Sequence, residues 1–273
     1  EDCAYCSQSA HFDAGIEPTR FLPPSAVADY AERMKAEGAF ALGIVTSGRG
    51  IFTVTDAERV ADSLRAARDA GIEPHASIGI ILDDGLISIL KAAGLTVAHH
   101  NLETSERFFP SICTTLTWSD RRDTGRAFKR NGLKVCSGAL FGLGETMADR
   151  IDRALTLAAL DADSVPLNFL DPRPGTPLAN QQKLDPDTAL RIISIYRFAL
   201  PDRPIGVFGG RQAVIGDRQR DIFRAGANRI MIGDYLTTYG APCDADRRLV
   251  LDSTGYSIGQ PCAGCRTDQG GDP

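Results

Sequence analysis

The chain lacks any apolar stretch near the roughly 20 residues that span a bilayer, which argues against a membrane-spanning helix. It also lacks a block of Lys and Arg interleaved with aromatics, and its formal net charge is -5. Nucleic-acid binding therefore has no electrostatic footprint. No secretory signal is present, so the seven cysteines are read as those of a cytoplasmic protein. In a reducing compartment, thiolates serve metals or catalysis rather than disulfides. No linker or shift in composition divides the 273 residues, which are enough for one large α/β barrel or two ordinary domains.

What is present is an alternation of two signals. Short apolar runs, FALGIV, HASIGII, TVAHHNL, LKVCSGALFG, SVPLNFL, PIGVFGG and RIMIG, read as buried parallel strands because they show no polar alternation. Helical spacing lies between them, as in Val27, Tyr30, Ala31 and Met34, or Val60, Leu64 and Ala67. A capping box is expected from Thr55 to Glu58, and left-handed helix caps at Gly38, Gly71, Gly94, Gly132 and Gly226. Seven βα repeats without a break favour a single (β/α)8 TIM-type barrel over residues 1–240. An eighth strand is expected upstream. Residues 241–273 lose the repeat and read as a C-terminal extension.

The opening EDCAYCSQSA carries Cys3 and Cys6 as a C-x-x-C pair, which alone is compatible with half a zinc site, a redox pair or part of an iron–sulfur ligand set. Its neighbourhood is more specific. EDCAYCSQS closely resembles the cluster loop of the biotin synthases, radical S-adenosylmethionine (SAM) enzymes. HNLETS, TTLTW, KVCSGALFGLGET, SVPLNFLDPRPGTPL, GGRQ and AGAN are similar to further segments of that family, in the same order. The family motif is C-x3-C-x2-C, so the resemblance places its first cysteine two residues before Glu1. The stretch from Glu1 onward is expected to be inactive by itself.

The resemblance implies a fold, a chemistry and roles. Three thiolates, two of them Cys3 and Cys6, would hold a [4Fe-4S] cluster whose fourth iron chelates SAM. One electron then yields a carbon radical, and a closed barrel keeps that radical on its target. The substrate implied is dethiobiotin, into which sulfur is inserted. Tyr5 would lie against adenine, Asn101 and Glu103 would meet ribose and substrate, and Arg121 the cofactor carboxylate, for which a planar guanidinium is suited. Gly138, Leu140, Gly142 and Glu145 would support the adenine side. Asn168 would grip the ureido ring, and Thr237 with Thr238 the substrate carboxylate. A flavodoxin or ferredoxin type donor and a homodimer are also implied.

Each role has a plainer competitor. Asn101 and Asn168 are also suited to satisfying backbone groups at strand ends, Arg121 taken alone reads as a solvated charge, and Cys113 reads as a small core residue. The sequence also departs from the family. Its usual auxiliary [2Fe-2S] cluster uses three cysteines and an arginine, and alignment puts Ala41, His75, Cys136 and Gly206 there. Alanine and glycine bind no iron. The tail adds Cys262 and Cys265, with Cys243 about twenty residues earlier, so a different auxiliary cluster is expected from Cys136, Cys262, Cys265 and Cys243 or His75. The competing readings are a radical paralogue that inserts no sulfur and a non-catalytic zinc scaffold.

Overall fold

The computed structural model describes residues 1–17, 19–233 and 240–255. Its elements run α1 (Pro24–Ala36), β1 (Ala41–Val45), α2 (Val54–Asp69), β2 (Glu73–Ser77), α3 (Asp84–Ala92), β3 (Val97–His99), α4 (Trp118–Arg130), β4 (Lys134–Cys136) and β5 (Ala139–Phe141). Then follow α5 (Met147–Ala159), β6 (Val165–Phe169), α6 (Pro186–Ala199), β7 (Ile205–Val207), α7 (Arg211–Ile215), α8 (Asp221–Arg224), β8 (Arg229–Ile230) and α9 (Cys243–Thr254).

The strands pair in parallel, as βα repeats require, in the orders β1-β2-β3-β4 and β5-β6-β7-β8. β4 and β5 are two halves of one expected strand, interrupted at Ser137 and Gly138. Parallel bridges from Glu103 to Ala139 and from Cys136 to Ser164 carry the pairing across that break. At Gly138 the strand passes so close to β6 that a Cβ would stand 1.8 Å from the Pro166 carbonyl oxygen. Only glycine fits there. The Arg229 guanidinium of β8 lies 5.5 Å from the ring centre of Phe40, just before β1, which brings the two sheet edges toward each other as in a closing barrel.

Alternate strand residues face helices or interior. Leu42, Ile44, Ala76, Ala98 and Val135 join α1 to α4 in one apolar layer, and Phe141, Leu167, Phe169, Ile205 and Val207 join α5 to α8 in a second. Wholly buried side chains such as Leu64, Ile87 and Leu90 each contribute about 1.5–3 kcal/mol. A third cluster, with Cys3, Leu102, Phe109, Ile112, Cys113, Trp118, Leu143 and Leu170, covers the carboxyl ends of the strands. Cys113 is thus the core residue expected.

All five expected cap glycines have positive φ, from 71° at Gly132 to 117° at Gly226. The capping box expected at Thr55 and Glu58 is displaced: α2 begins two residues earlier, and Thr53 caps it by accepting from the Asp56 N–H at 3.1 Å. Thr and Asp repeat closely in TVTDAE, and the first Thr wins because Val54 is already helical. Within the region read as an extension, α9 docks through a buried ion pair, Arg211 to Asp246 at 2.6 Å.

Candidate active site

The cysteine loop is built by its contacts with two distant segments. The Cys6 N–H donates to the Cys3 carbonyl at 2.9 Å, closing the C-x-x-C turn. The Ala4 N–H donates to the Ile112 carbonyl at 2.8 Å, and the Leu178 N–H to the Ala4 carbonyl at 3.3 Å. Asp2 accepts from the Thr114 N–H at 2.9 Å, the Thr115 N–H at 3.1 Å and the Thr115 hydroxyl at 3.0 Å, and also from the Thr114 hydroxyl. Burial alone would raise the Asp2 carboxyl, but these bonds together hold it well below the usual range. The TTLTW and GTPL segments therefore serve as a clamp on the cysteine loop.

Arg121 reaches the centre of this site from α4. Its Nη1 donates to the Asn101 carbonyl at 3.0 Å and lies 3.8 Å from a Glu103 carboxylate oxygen, while Nη2 is 3.9 Å from the Cys3 sulfur. Its guanidinium packs 5.6 Å from the Phe109 ring centre. The solvated-charge reading of Arg121 is thus excluded, and its Nε is buried without a partner. Burial pushes the Cys3 thiol up to about 12, with Arg121 opposing.

Glu103 has φ 67°, a left-handed backbone that a non-glycine residue adopts at a cost. Its carbonyl accepts from the Leu140 N–H at 2.9 Å, which fixes the turn at the end of the β3 segment. Burial raises its carboxyl, with Arg121, Arg153, Asn101 and Tyr5 acting in the opposite direction. The Tyr5 hydroxyl is a hydrogen-bond partner of that carboxylate. Cys3, Tyr5, Asn101, Glu103 and Arg121, all expected from sequence, therefore meet in one place.

The two asparagines also do what their plainer reading expected. Asn101 Oδ1 accepts from the Gly138 N–H at 2.9 Å. Asn168 Oδ1 accepts from the Gly209 N–H at 2.9 Å, and its Nδ2 donates to the Ala139 carbonyl at 3.3 Å. Glu145 is directed at its own loop: its oxygens accept from Gly142 N–H at 3.0 Å, Leu143 N–H at 2.7 Å and Arg150 Nε at 2.8 Å. It shapes the loop behind Leu140 rather than presenting a free carboxylate.

Deeper in the interior lies a row that the sequence reading only half found. His75 Nδ1 is 3.0 Å from His99 Nε2, and His99 is in register with Cys136. Burial alone would raise the Cys136 thiol, but His99 brings it below its ordinary value. His99 was missed because in TVAHHNL only strand alternation tells which of two adjacent histidines faces inward. The pairing register puts Gly43 level with His75 and Ala41 level with Glu73. Among the described residues, no three His, Cys, Asp or Glu side chains are grouped to hold a metal ion. Cys243 opens α9, where burial and Glu37 raise its thiol. Thr237, Thr238, Cys262 and Cys265 lie outside the described residues.

A C-x-x-C turn clamped over the carboxyl ends of a parallel (β/α) barrel, beside a buried Glu–Arg pair, is the architecture of radical SAM enzymes. Residues 1–157 match the Radical SAM superfamily, and residues 166–257 match the Biotin and Thiamin Synthesis associated domain. The crystal structure of methylornithine synthase shares the fold, with a TM-score of 0.77 at 20% identity, covering 95% of this chain and 79% of that one. The chain is 44% identical to the biotin synthase of Syntrophotalea carbinolica over 93% of its own length and 77% of that protein. It is 47% identical to the biotin synthase of Trichlorobacter lovleyi, over 92% of its length and 76% of that protein. The chain belongs to the biotin synthase family of radical SAM enzymes. Among the described residues no helix is long and apolar enough to cross a membrane.

Proposed function

We propose that this chain carries out radical-mediated sulfur insertion into dethiobiotin to give biotin. The observation that carries this reading is the convergence of Cys3, Tyr5, Glu103 and Arg121 at the carboxyl ends of the strands. The residues present fit SAM and its cluster: Arg121 keeps a buried Nε without a partner, and Glu103 is held in a strained backbone. When bound, that pair supplies a carbon radical able to remove hydrogen from an unactivated carbon. Cys3 and Cys6 would hold the [4Fe-4S] cluster together with a cysteine upstream. Tyr5 would lie on the adenine, Asn101 and Glu103 would take the ribose hydroxyls, and Arg121 the carboxylate. Gly138, Leu140, Gly142 and Glu145 form the adenine-side strand and loop, and Asn168, Thr237 and Thr238 are assigned to dethiobiotin.

We read Cys136 as the barrel ligand of a second, auxiliary iron–sulfur cluster, completed by Cys262 and Cys265 with Cys243 or His75. Ala41 and Gly206, neither of which carries a donor atom, support a ligand set different from the usual one. On this reading residues 1–240 are the barrel and residues 241–273 an extension that brings ligands. A flavodoxin or ferredoxin type reductant, a homodimer and a cytoplasmic location complete the proposal.

The test is anaerobic reconstitution of a chain that includes the upstream cysteine, with iron and sulfide counted and biotin measured. About eight irons, with biotin formed and lost in C262A/C265A, is expected for two four-iron clusters. About four irons, with SAM cleaved but no biotin formed, would instead favour a paralogue that inserts no sulfur.

A further inference from the structure

The buried side of α5 carries two arginines beside the apolar Ala154 and Leu157. Ile151 and Leu155 are exposed, at 44% and 59%, whereas Arg150 and Arg153 are buried, at 9% and 1%. Arg150 is answered by Glu145 at 2.8 Å. Arg153 is not answered in kind: Nη2 donates to the Gly138 carbonyl at 2.9 Å, and both Nε and Nη1 are buried without a partner. A leucine would serve helix packing better, because an unpaired buried cation is costly. A local rule broken this way, without a packing gain, points to function.

What Arg153 touches gives the function. Gly138 is held from both sides, its N–H by Asn101 Oδ1 at 2.9 Å and its carbonyl by Arg153. Two residues on, the Leu140 N–H holds the Glu103 carbonyl at 2.9 Å. Arg153 and Glu103 border the same crevice, with Leu140 between them in sequence and Thr104 beside them. Arg121 and Arg153 are the cations whose fields act on Glu103. One guanidinium thus braces the short strand from which both Asn101 and Glu103 take their positions.

We propose that Arg153 is a positioning residue for nucleoside recognition, pinning the Gly138 carbonyl and holding Glu103 as the acceptor for a vicinal diol. This rests on the radical SAM reading above. It predicts a selectivity that packing alone would not produce: preference for a ribose diol over a deoxyribose.

The probes are 5'-deoxyadenosine and its 2'-deoxy counterpart, which need no cluster, with affinities measured by equilibrium dialysis on the full chain. Wild type is expected to favour the diol by about tenfold, the scale of one charge-assisted hydrogen bond. Arg153→Met should reduce that preference below about threefold without lowering the thermal midpoint, since an apolar side chain suits the site. Arg153→Lys, which keeps the charge and a donor, should restore most of it. Should Arg153→Met fail to fold, Arg153→Gln keeps a donor without the charge and should show the same lost preference. An unchanged preference in the Met or Gln variant, or equal losses in Lys and Met that track lost stability, overturns the proposal. A wild-type chain that binds neither nucleoside overturns the functional reading as well.

Discussion

Replacing Glu145 by alanine tests whether this carboxylate is an internal brace. Its oxygens accept from two backbone N–H groups and from Arg150, with the Glu145 side chain 1% exposed and that of Arg150 10% exposed. Glu145→Ala leaves a buried guanidinium and two buried N–H groups unanswered, so a loss of about 3–5 kcal/mol is expected, as for breaking one side of a buried pair. Arg150→Met in that background removes the stranded charge and should recover about 1–2 kcal/mol, a coupling typical of residues in contact. Urea unfolding of the four chains of the cycle, followed by the fluorescence of Trp118 and by far-ultraviolet circular dichroism, reads this directly. A loss below about 1 kcal/mol in Glu145→Ala, or no recovery in the double variant, would refute the brace.

Gly138→Ala drives a Cβ to 1.8 Å from the Pro166 carbonyl oxygen and 2.7 Å from its carbonyl carbon, backbone atoms that cannot swing aside. A loss above about 3 kcal/mol is expected by urea unfolding. Asp246→Ala strands Arg211, whose side chain is 2% exposed, and should cost about 3–5 kcal/mol and make α9 susceptible to limited proteolysis. His100 is held down to about 3 by burial and by the nearby Arg121. Between that value and its unfolded value of about 6.5, only the unfolded chain takes up the proton, so stability falls as pH falls. His100→Phe should lessen that fall by about 1.4 kcal/mol per pH unit over this window, measured by urea midpoints at stepped pH.

The βα alternation was legible because a parallel strand buried on both faces is a continuous apolar run, and because a left-handed helix cap selects glycine. The meeting of the cysteine loop with Glu103 and Arg121 was expected only through likeness to relatives. By local pattern, Arg121 belongs to a charged surface helix. What the chain order does not contain is which side chains meet across long stretches of sequence. Asp2 on Thr114 and Thr115, Cys3 beside Arg121, and His75 beside His99 arise from strand register and barrel curvature. The displaced cap at Thr53 and the pairing of Gly43 with His75 are of the same kind, since one or two residues of register are set by packing.

The amino-acid order by itself thus determined the βα repeat and the C-x-x-C pair of Cys3 and Cys6. These depend on local propensity and on residue identity. Only the tertiary structure decided that Glu145 turns back on its own loop, that Asn101 and Asn168 are tied to backbone, and that Arg153 is buried while Ile151 is exposed. Orientation toward the interior depends on where a helix is pressed against the sheet, and that is a property of the whole fold rather than of any window of sequence.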